Sequence, residues 1–238
     1  MAMETTGPTI IDFYGAPGSG KTTVSRMVSK KLADEGYKVD EHIFQVNNEY
    51  HPVNRIFIKG LTAVGYTLKN FAFIKEIFSL AQLHTFSSRK IAVKQWVNVC
   101  FVMSSLARRR NQDIIIAEQG LTQAVISLAL NCTPKDFSAM INKMEKHLSA
   151  DIVYVHVRIG TAENLTRLKN RNEGNSEVEL EADGKKKEEL LDNINEICEE
   201  IKIIKNCLTF DNTMEADSME KFQQLIEKHL ASQLKFEL

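Results

Sequence analysis

The sequence lacks the residue patterns that build disulfide-bonded domains and transition-metal sites. It has four cysteines, far apart and without a Cys-x-x-Cys pair. They are Cys100, Cys132, Cys198 and Cys207. The six histidines are scattered without the spacing of metal ligands. We therefore expect buried or incidental thiols, no intrinsic transition-metal site, and a protein that stays in the reducing cytoplasm.

The sequence also lacks long hydrophobic runs and an excess of one charge. Charged residues interrupt every apolar stretch before it could cross a bilayer, and the N-terminus has no signal-peptide pattern. The 30 Lys and Arg residues nearly cancel the 31 Asp and Glu residues. A chain with so little net charge is not expected to bind nucleic acid or an anionic membrane. Any recognition of phosphate must therefore be local.

The remaining composition is that of a folded globular protein. Hydrophobic residues make up 43% of the chain and charged residues 26%, and 238 residues are enough for one large domain with a full core. The weakly apolar stretch from Asn172 to Glu189 could be a linker, but we interpret it as an insertion that could act as a flap. We therefore expect one domain over residues 1–238, with a helical region at 50–110 and a lid region at 158–189.

Apolar runs and helical spacings alternate along the chain. The predicted strands are Thr9–Tyr14, Lys38–Val46, Asp113–Glu118, Ile152–Val157 and Leu208–Phe210. The predicted helices are Thr22–Leu32, two or three within residues 56–110, Leu121–Leu130, Pro134–Leu148, Thr161–Arg171 and Ser218–Leu234. This alternation predicts an α/β fold of three layers, in which helices cover both faces of a five-stranded, mostly parallel sheet. Ligands are expected at the carboxyl ends of its strands.

A complete G-x-x-x-x-G-K-[ST] motif follows the first predicted strand and opens the first predicted helix. Its residues are Gly15, Ala16, Pro17, Gly18, Ser19, Gly20, Lys21 and Thr22. The glycines allow consecutive backbone N–H groups to face phosphate oxygens at the positive end of the helix. Lys21 is expected to neutralise the β- and γ-phosphates, Thr22 to bind Mg²⁺, and Thr23 to bind a more proximal phosphate. The motif predicts a P-loop that binds ATP with Mg²⁺.

Phosphoryl transfer also needs an acidic group near the metal or nucleophile, and cations near the transferred phosphate. Glu118 ends the most apolar predicted strand and is the candidate acid and metal ligand, although a carboxylate that caps the next helix is the alternative. Arg167 and Arg171 are four residues apart, so they share a helix face and could approach one anion. Surface ion pairs with Glu163 or Glu173 are the alternative for these arginines.

Four stretches together resemble the thymidylate kinase and deoxynucleoside kinase group of P-loop kinases, in order and roughly in spacing. They are Gly15–Thr23, Glu118–Gly120, Thr166–Glu173 and Leu208–Asn212. The resemblance implies that Arg167 and Arg171 belong to a lid that closes over ATP. It also implies that Glu118 holds the acidic position at the end of the third strand. It further implies that the segment Asp211–Asn212 lies near the adenine, and Asp211 is the candidate binding residue there.

One departure from this group concerns the acceptor. Many members have an arginine directly after the acidic residue, where this chain has Gln119 and Gly120. The segment Glu118–Gln123 instead resembles related uncharacterised kinases, some of them linked to surface-polysaccharide synthesis. The resemblance therefore leaves the acceptor open among a nucleoside, a nucleoside monophosphate and a sugar.

The acceptor is expected to bind in the helical region at 50–110. Either Glu49 or Glu118 could accept the proton of the acceptor hydroxyl, and the sequence does not separate them. The basic residues of this region are interpreted as surface charges, and its aromatic residues as core. The sequence predicts an ATP-dependent small-molecule kinase. The alternative is a nucleotide-gated regulatory ATPase that grips a protein partner through this region, and a homodimer is compatible with both.

Overall fold

The computed structural model describes residues 8–81, 88–108, 112–131, 136–148, 150–170, 178, 181, 183–205, 207–212, 220, 222–226 and 228. Its five strands are β1 (Thr9–Tyr14), β2 (Val39–Asp40), β3 (Ile114–Ala117), β4 (Ile152–Arg158) and β5 (Leu208–Asp211). They form one sheet in the order β2-β3-β1-β4-β5, and every neighbouring pair is parallel. The predicted α/β fold with a five-stranded parallel sheet is confirmed.

Helices connect the strands. They are α1 (Lys21–Asp34), α2 (His42–Phe44), α3 (Pro52–Lys69), α4 (Phe71–Leu80), α5 (Arg89–Leu106), α6 (Leu121–Asn131), α7 (Phe137–Leu148), α8 (Thr161–Lys169) and α9 (Gly184–Lys205). A π-helical turn, Gln45–Glu49, continues α2. None of the helices in the described ranges is long and apolar enough to cross a membrane.

The two faces of the sheet belong to two separate hydrophobic cores, as the alternation of side chains along a strand requires. On one face, Ile11 and Phe13 of β1 pack in a core with Val24, Val28 and Leu32 of α1. On the other face, Ile10 and Tyr14 belong to a larger core that contains buried residues of α5, α6, α7 and α9. The sheet is thus the middle of three layers.

The parallel register brings the carboxyl ends of the strands to one edge of the sheet. Asp12 of β1 lies opposite Ala117 at the end of β3, and Tyr14 lies opposite His156 of β4. The P-loop that follows β1 and Glu118 that follows β3 therefore lie at the same edge. This is the edge where we predicted the ligand site.

Two segments differ from the prediction. The predicted strand Lys38–Val46 is only Val39–Asp40, because Asp40 Oδ1 accepts a hydrogen bond from the His42 amide at 2.9 Å and the chain turns helical. Helix α9 was not predicted, although four of its buried residues recur at spacings of three and four. These residues are Leu191, Ile194, Cys198 and Ile201. Part of the predicted lid, residues 171–177, 179, 180 and 182, lies outside the described residues.

Helix α3 turns most of its apolar residues outward. The exposed ones recur at helical spacing, and we call them the apolar stripe. They are Val53, Ile56, Phe57, Leu61, Val64 and Leu68. Two basic residues point inward instead: Arg55 Nη1 donates to the Asn47 carbonyl at 2.8 Å, and Lys59 Nζ lies 4.9 Å from the centre of the buried Phe101 ring. Burial, and secondarily the charge of Arg55, lower the pKa of Lys59 to about 8.

Candidate active site

The P-loop has the backbone geometry that its glycines allow. Gly18 and Gly20 have φ values of 86° and 91°, in the left-handed region where a side chain is strained. They also have no room for one, because a Cβ atom on Gly18 would collide with Asn164 Oδ1, and a Cβ atom on Gly20 with Asn212 Nδ2. The loop is therefore packed closely by residues from later elements.

The lysine of the motif lies inside its own loop. Lys21 Nζ donates to the carbonyl oxygens of Gly15 and Ala16 at 2.9 and 2.8 Å. Thr22 is half-buried at the start of α1, and Thr23 is exposed. The hydroxyl of Ser19 is buried and has no hydrogen-bond partner in the described part of the chain. The loop and the start of α1 thus offer an ammonium, three hydroxyls and a helix N-terminus, which suits a polyphosphate.

Glu118 is buried directly after β3, with only one of its carboxylate oxygens occupied. Asn48, on the π-helical turn, donates from Nδ2 to Glu118 Oε1 at 2.8 Å. Glu118 Oε2 is buried and accepts no hydrogen bond from any described residue. Next to this pair, Asn47 Nδ2 lies 3.4 Å from Gln119 Oε1. A buried carboxylate oxygen without a partner is costly unless a cation or donor arrives.

A second buried carboxylate, Asp12, lies within β1. Its Oδ2 accepts hydrogen bonds from the Thr122 amide at 2.8 Å and the Thr122 hydroxyl at 2.7 Å. Its Oδ1 has no partner among the described residues, and it occupies the space that a side chain on Gly120 would need. Burial raises the pKa of Asp12 to about 6, against the opposing effect of the Thr122 bonds. Glycine at position 120 therefore makes room for this carboxyl.

Helix α8 packs on the P-loop and brings Arg167 beside it. Arg167 Nη1 lies 3.6 Å from the place of a Cβ atom on Gly20. Arg167 Nη2 donates to Glu163 Oε1 at 2.6 Å and to the Asn212 carbonyl at 3.2 Å. Asn164, one turn earlier, is fully buried, and neither atom of its amide has a described partner. The alternative expected for Arg167, an ion pair with Glu163, is therefore present, and its role at the phosphate stays a prediction.

The end of β5 also reaches the P-loop, but through Asn212 rather than Asp211. Asn212 Nδ2 donates to the Ser19 carbonyl at 2.7 Å. Asp211 Oδ1 instead accepts from Arg158 Nε at 2.6 Å, and this hydrogen bond lowers the pKa of Asp211. Asp211 is exposed at the same edge of the sheet. Its predicted role near the adenine stays a prediction, and the other predicted catalytic arginine, Arg171, lies outside the described residues.

Behind the P-loop, the rings of Tyr14 and His156 stack at 4.9 Å with an angle of 8° between their planes. His156 is 2% exposed, and its burial lowers its pKa to about 4. The charges of Lys202 and Arg158 act in the same direction, while Glu199 opposes them. A neutral imidazole therefore supports the last residue of β1 at neutral pH.

A cavity of about 450 Å³ lies beside Glu49, the other candidate for a general base. It is lined by Glu49, Tyr50, His51, Asn54, Phe57 and Ile58. Glu49 is exposed at the end of the π-helical turn, one residue after the Asn48 that holds Glu118. The turn thus joins the cavity to the carboxylate at the end of β3, and both carboxylates remain candidates.

The residues around the P-loop fit a magnesium ion. Mg²⁺ prefers carboxylate and hydroxyl oxygens and usually keeps contacts to the phosphates of its nucleotide. Thr22 offers a hydroxyl at the start of α1, and Glu118 offers the unpaired Oε2. Asp12 adds a second unpaired carboxylate oxygen, on the strand that leads into the loop. These oxygens are of the kind that Mg²⁺ binds, and the predicted roles of Thr22 and Glu118 as its ligands stay predictions.

Comparisons with known proteins leave the family open. No family model matches the sequence, and no curated protein matches it. Similar solved structures include a shikimate kinase from Bacteroides thetaiotaomicron, with TM-score 0.47 and 13% identity, covering 94% of this chain and 98% of that chain. A gluconokinase from Sinorhizobium meliloti 1021 has TM-score 0.46 and 12% identity, covering 97% of each chain.

A third similar structure is a shikimate kinase from Acinetobacter baumannii in complex with shikimate. Its TM-score is 0.44 at 16% identity, and the alignment covers 98% of each chain. Because all three TM-scores are below 0.5, these similarities identify neither the activity nor the acceptor of this chain. The resemblance to thymidylate kinases and deoxynucleoside kinases likewise stays a prediction.

Four residues of the site were not predicted as site residues: Asp12, Asn48, Asn164 and Asn212. Asp12 left a signal, since it is an acidic residue within the apolar run of β1. Asn212 belongs to the segment Asp211–Asn212 that the resemblance placed near the adenine, but only Asp211 was named as a binding residue. Asn48 and Asn164 left no signal in the sequence, because polar residues near helix ends are common.

Proposed function

We propose that this protein is an ATP-dependent kinase that transfers the γ-phosphoryl group to the hydroxyl of a small molecule. The observation that carries the proposal is a set of buried polar groups without partners around the P-loop. They are the Ser19 hydroxyl, the Asn164 amide and Glu118 Oε2, considered within the described part of the chain. Buried polar groups are usually paired, so an unpaired set indicates a polar ligand. A triphosphate with its cation would pair them.

Each of these residues would have a separate role in phosphoryl transfer. Lys21 would leave the carbonyls of Gly15 and Ala16 and bind the β- and γ-phosphates, while the amides of the loop hold their oxygens. Arg167, beside Gly20, would neutralise charge that spreads over the transferred group. Thr22 and Glu118 would hold Mg²⁺, which supplies positive charge to the phosphates when bound.

The acceptor would lie on the side of β3 and α3, where the cavity beside Glu49 is found. Glu118 and Glu49 are the two groups that could accept the proton of its hydroxyl. The cavity is lined by polar residues and by the apolar Phe57 and Ile58, a mixture that suits a ring that carries hydroxyls. We propose a nucleoside or nucleoside monophosphate as the acceptor, with a sugar as the next candidate.

An acceptor screen tests this proposal. ADP formation by the full chain would be followed with ATP and Mg²⁺ and a panel of nucleosides, nucleoside monophosphates and sugars. We expect one class to accelerate ADP formation and Lys21→Ala to reduce that rate by at least about 100-fold. The matched control is Lys30→Ala, an exposed lysine of the same helix that lies away from the loop.

Two results would contradict the proposal. If no compound accelerates ADP formation above a slow basal rate while a protein partner does, the regulatory ATPase is the better description. If Lys21→Ala keeps the wild-type rate, the observed transfer does not use the P-loop. Circular dichroism of Lys21→Ala and Lys30→Ala would check that both variants keep the fold.

A further inference from the structure

The apolar stripe of α3 is a large hydrophobic surface in contact with water. Leu68 is 79% exposed, Ile56 71% and Phe57 65%. The exposed side chains of Phe71 on α4 and Val93 on α5 add to the same helical region. Single exposed apolar residues are ordinary, but a contiguous set of this kind marks a surface that binds something.

The same part of the chain carries a strong positive charge that the whole-chain balance conceals. Residues 50–112 contain ten Lys and Arg residues and one acidic residue, a net charge of +9, while the rest of the chain carries −10. The single acidic residue, Glu76, forms an ion pair with Lys143. Exposed cations occur on all three helices of this segment. They are Lys69 on α3, Lys75 on α4, and Arg89, Lys90 and Lys94 on α5.

This combination selects one kind of partner. An anionic bilayer offers both an apolar interior for the stripe and negative headgroups for the cations. Nucleic acid would pair with the cations, but it would not bury the six exposed aliphatic and aromatic side chains of the stripe. A second copy of the chain would bury the stripe, but a symmetric contact would bring the exposed cations of the two copies towards each other.

We propose that the apolar stripe and the cations of α3, α4 and α5 dock this protein on an anionic lipid surface. Helix α3 would lie in the plane of the interface, with the stripe among the acyl chains. Its inward side is already occupied, because Arg55 is bonded to the Asn47 carbonyl and Lys59 lies against Phe101. Docking therefore needs no rotation of the helix. The proposal does not depend on phosphoryl transfer.

The apolar stripe and the candidate acceptor cavity share one residue, Phe57. Phe57 belongs to the apolar stripe and also lines the cavity beside Glu49. Tyr50, which also lines the cavity, is 42% exposed. A bilayer on the stripe would thus lie next to the mouth of the cavity.

Vesicle sedimentation tests the proposal without nucleotide or acceptor. The full chain would be mixed with vesicles of phosphatidylcholine alone, and with vesicles that contain about 30% phosphatidylglycerol. We expect binding to the anionic vesicles, at least about tenfold weaker binding to the neutral ones, and loss of binding at high salt. Leu61→Glu/Leu68→Glu should weaken binding to the anionic vesicles by at least about tenfold.

The controls separate the stripe from general effects. Ile203→Glu changes an apolar side chain that is 83% exposed on α9, and it should bind anionic vesicles like the wild type. Lys69→Glu/Lys75→Glu keeps the stripe and should lose at least about tenfold in binding. Thermal unfolding would show that each variant remains folded, which is expected because every substituted side chain is exposed.

Three outcomes would overturn the proposal. The first is no binding to anionic vesicles. The second is binding that Leu61→Glu/Leu68→Glu leaves unchanged. The third is a dimer in solution, measured by light scattering, that Leu61→Glu/Leu68→Glu dissociates while the vesicles bind nothing, since the stripe would then be a contact between copies. Failure of the acceptor screen would leave the vesicle result standing, so the two proposals can fail separately.

Discussion

Asn48 Nδ2 donates a 2.8 Å hydrogen bond to Glu118 Oε1, and so joins the π-helical turn after β2 to the end of β3. The bond occupies one oxygen of a carboxylate that is 1% exposed and leaves the other without a described partner. Asn48 is therefore a positioning residue for the candidate catalytic acid. The turn that carries it also leads into the cavity where the acceptor is proposed to bind.

Asn48→Ala should lower kcat by about tenfold and change the KM for ATP by less than about twofold. The reason is that Glu118 loses its orientation while the P-loop keeps its contacts. Steady-state kinetics with the acceptor found in the screen would measure both constants. Asn47→Ala is the matched control, because the Asn47 side chain has only a 3.4 Å contact with Gln119. Equal losses of kcat in the two variants would contradict the positioning role.

Asn212→Ala should weaken binding of ATP with Mg²⁺ by about tenfold. It removes the 2.7 Å hydrogen bond to the Ser19 carbonyl and leaves the backbone carbonyl that Arg167 contacts. Titration calorimetry would measure the affinity, with Thr209→Ala on the same strand as the control. Unchanged affinity would show that this bond does not hold the loop in its binding conformation.

Gly120→Ala should destabilise the fold by about 1–3 kcal/mol, because the new Cβ atom would collide with Asp12 Oδ1 and the Ala117 side chain. Gly65→Ala is the control, and it should change the free energy of unfolding in the opposite direction. Position 65 lies within α3 with open space around it, so alanine should stabilise the helix by about 1 kcal/mol. Urea denaturation would measure both changes. Similar stability of the two variants would contradict the close approach of Asp12.

Asp12 should make the fold less stable as the pH rises. The pKa of Asp12 is about 6 in the folded state, and its ordinary value of 3.8 applies to the unfolded state. Between these two pH values only the folded state holds the proton. The contribution of Asp12 to the free energy of unfolding therefore falls by about 3 kcal/mol between pH 4 and pH 6 and then stays level. Asp12→Asn should gain about this amount over wild type across the range, measured by urea denaturation at each pH. Parallel curves would contradict the prediction.

His156 should have the opposite effect in nearly the same pH range. Its folded pKa of about 4 is below the ordinary 6.5, so the unfolded state takes up the proton first as the pH falls. The contribution of His156 to the free energy of unfolding should therefore decrease by about 3 kcal/mol from pH 6.5 to pH 4. His156→Phe keeps a ring against Tyr14 and should remove this loss. If the acid sensitivity of the variant equals that of wild type, the buried imidazole is not its cause.

The parts of the fold that could be predicted depend on local patterns. Strands β1, β3 and β4 are runs of buried apolar residues, and the P-loop motif fixes the turn between β1 and α1. Glu118 could be placed at the edge of the sheet because parallel strands share that edge. The side chains that hold these groups could not be predicted. Asp12 forms hydrogen bonds with Thr122, which is 110 residues away in the sequence. Asn212 forms one with Ser19, which is 193 residues away.

The orientation of α3 could not be predicted either, and for a different reason. Apolar spacing predicts a helix with one apolar face, and the usual expectation is that this face packs on the core. In α3 the core side instead takes Ala63, Tyr66 and the ammonium of Lys59, and the apolar stripe faces outward. The sequence did contain the excess of positive charge in residues 50–112 that accompanies this arrangement. The near-zero net charge of the whole chain concealed it.

The position of Phe57, shared by the apolar stripe and the cavity beside Glu49, has a consequence for kinetics. If the protein acts while it is bound to a membrane, an amphiphilic acceptor could diffuse from the lipid leaflet directly into the cavity. It would not first have to dissolve in water. Turnover would then saturate with the mole fraction of acceptor in the vesicle, and diluting the vesicles with buffer would leave it unchanged. A soluble acceptor would follow its bulk concentration instead, so one dilution series distinguishes the two routes.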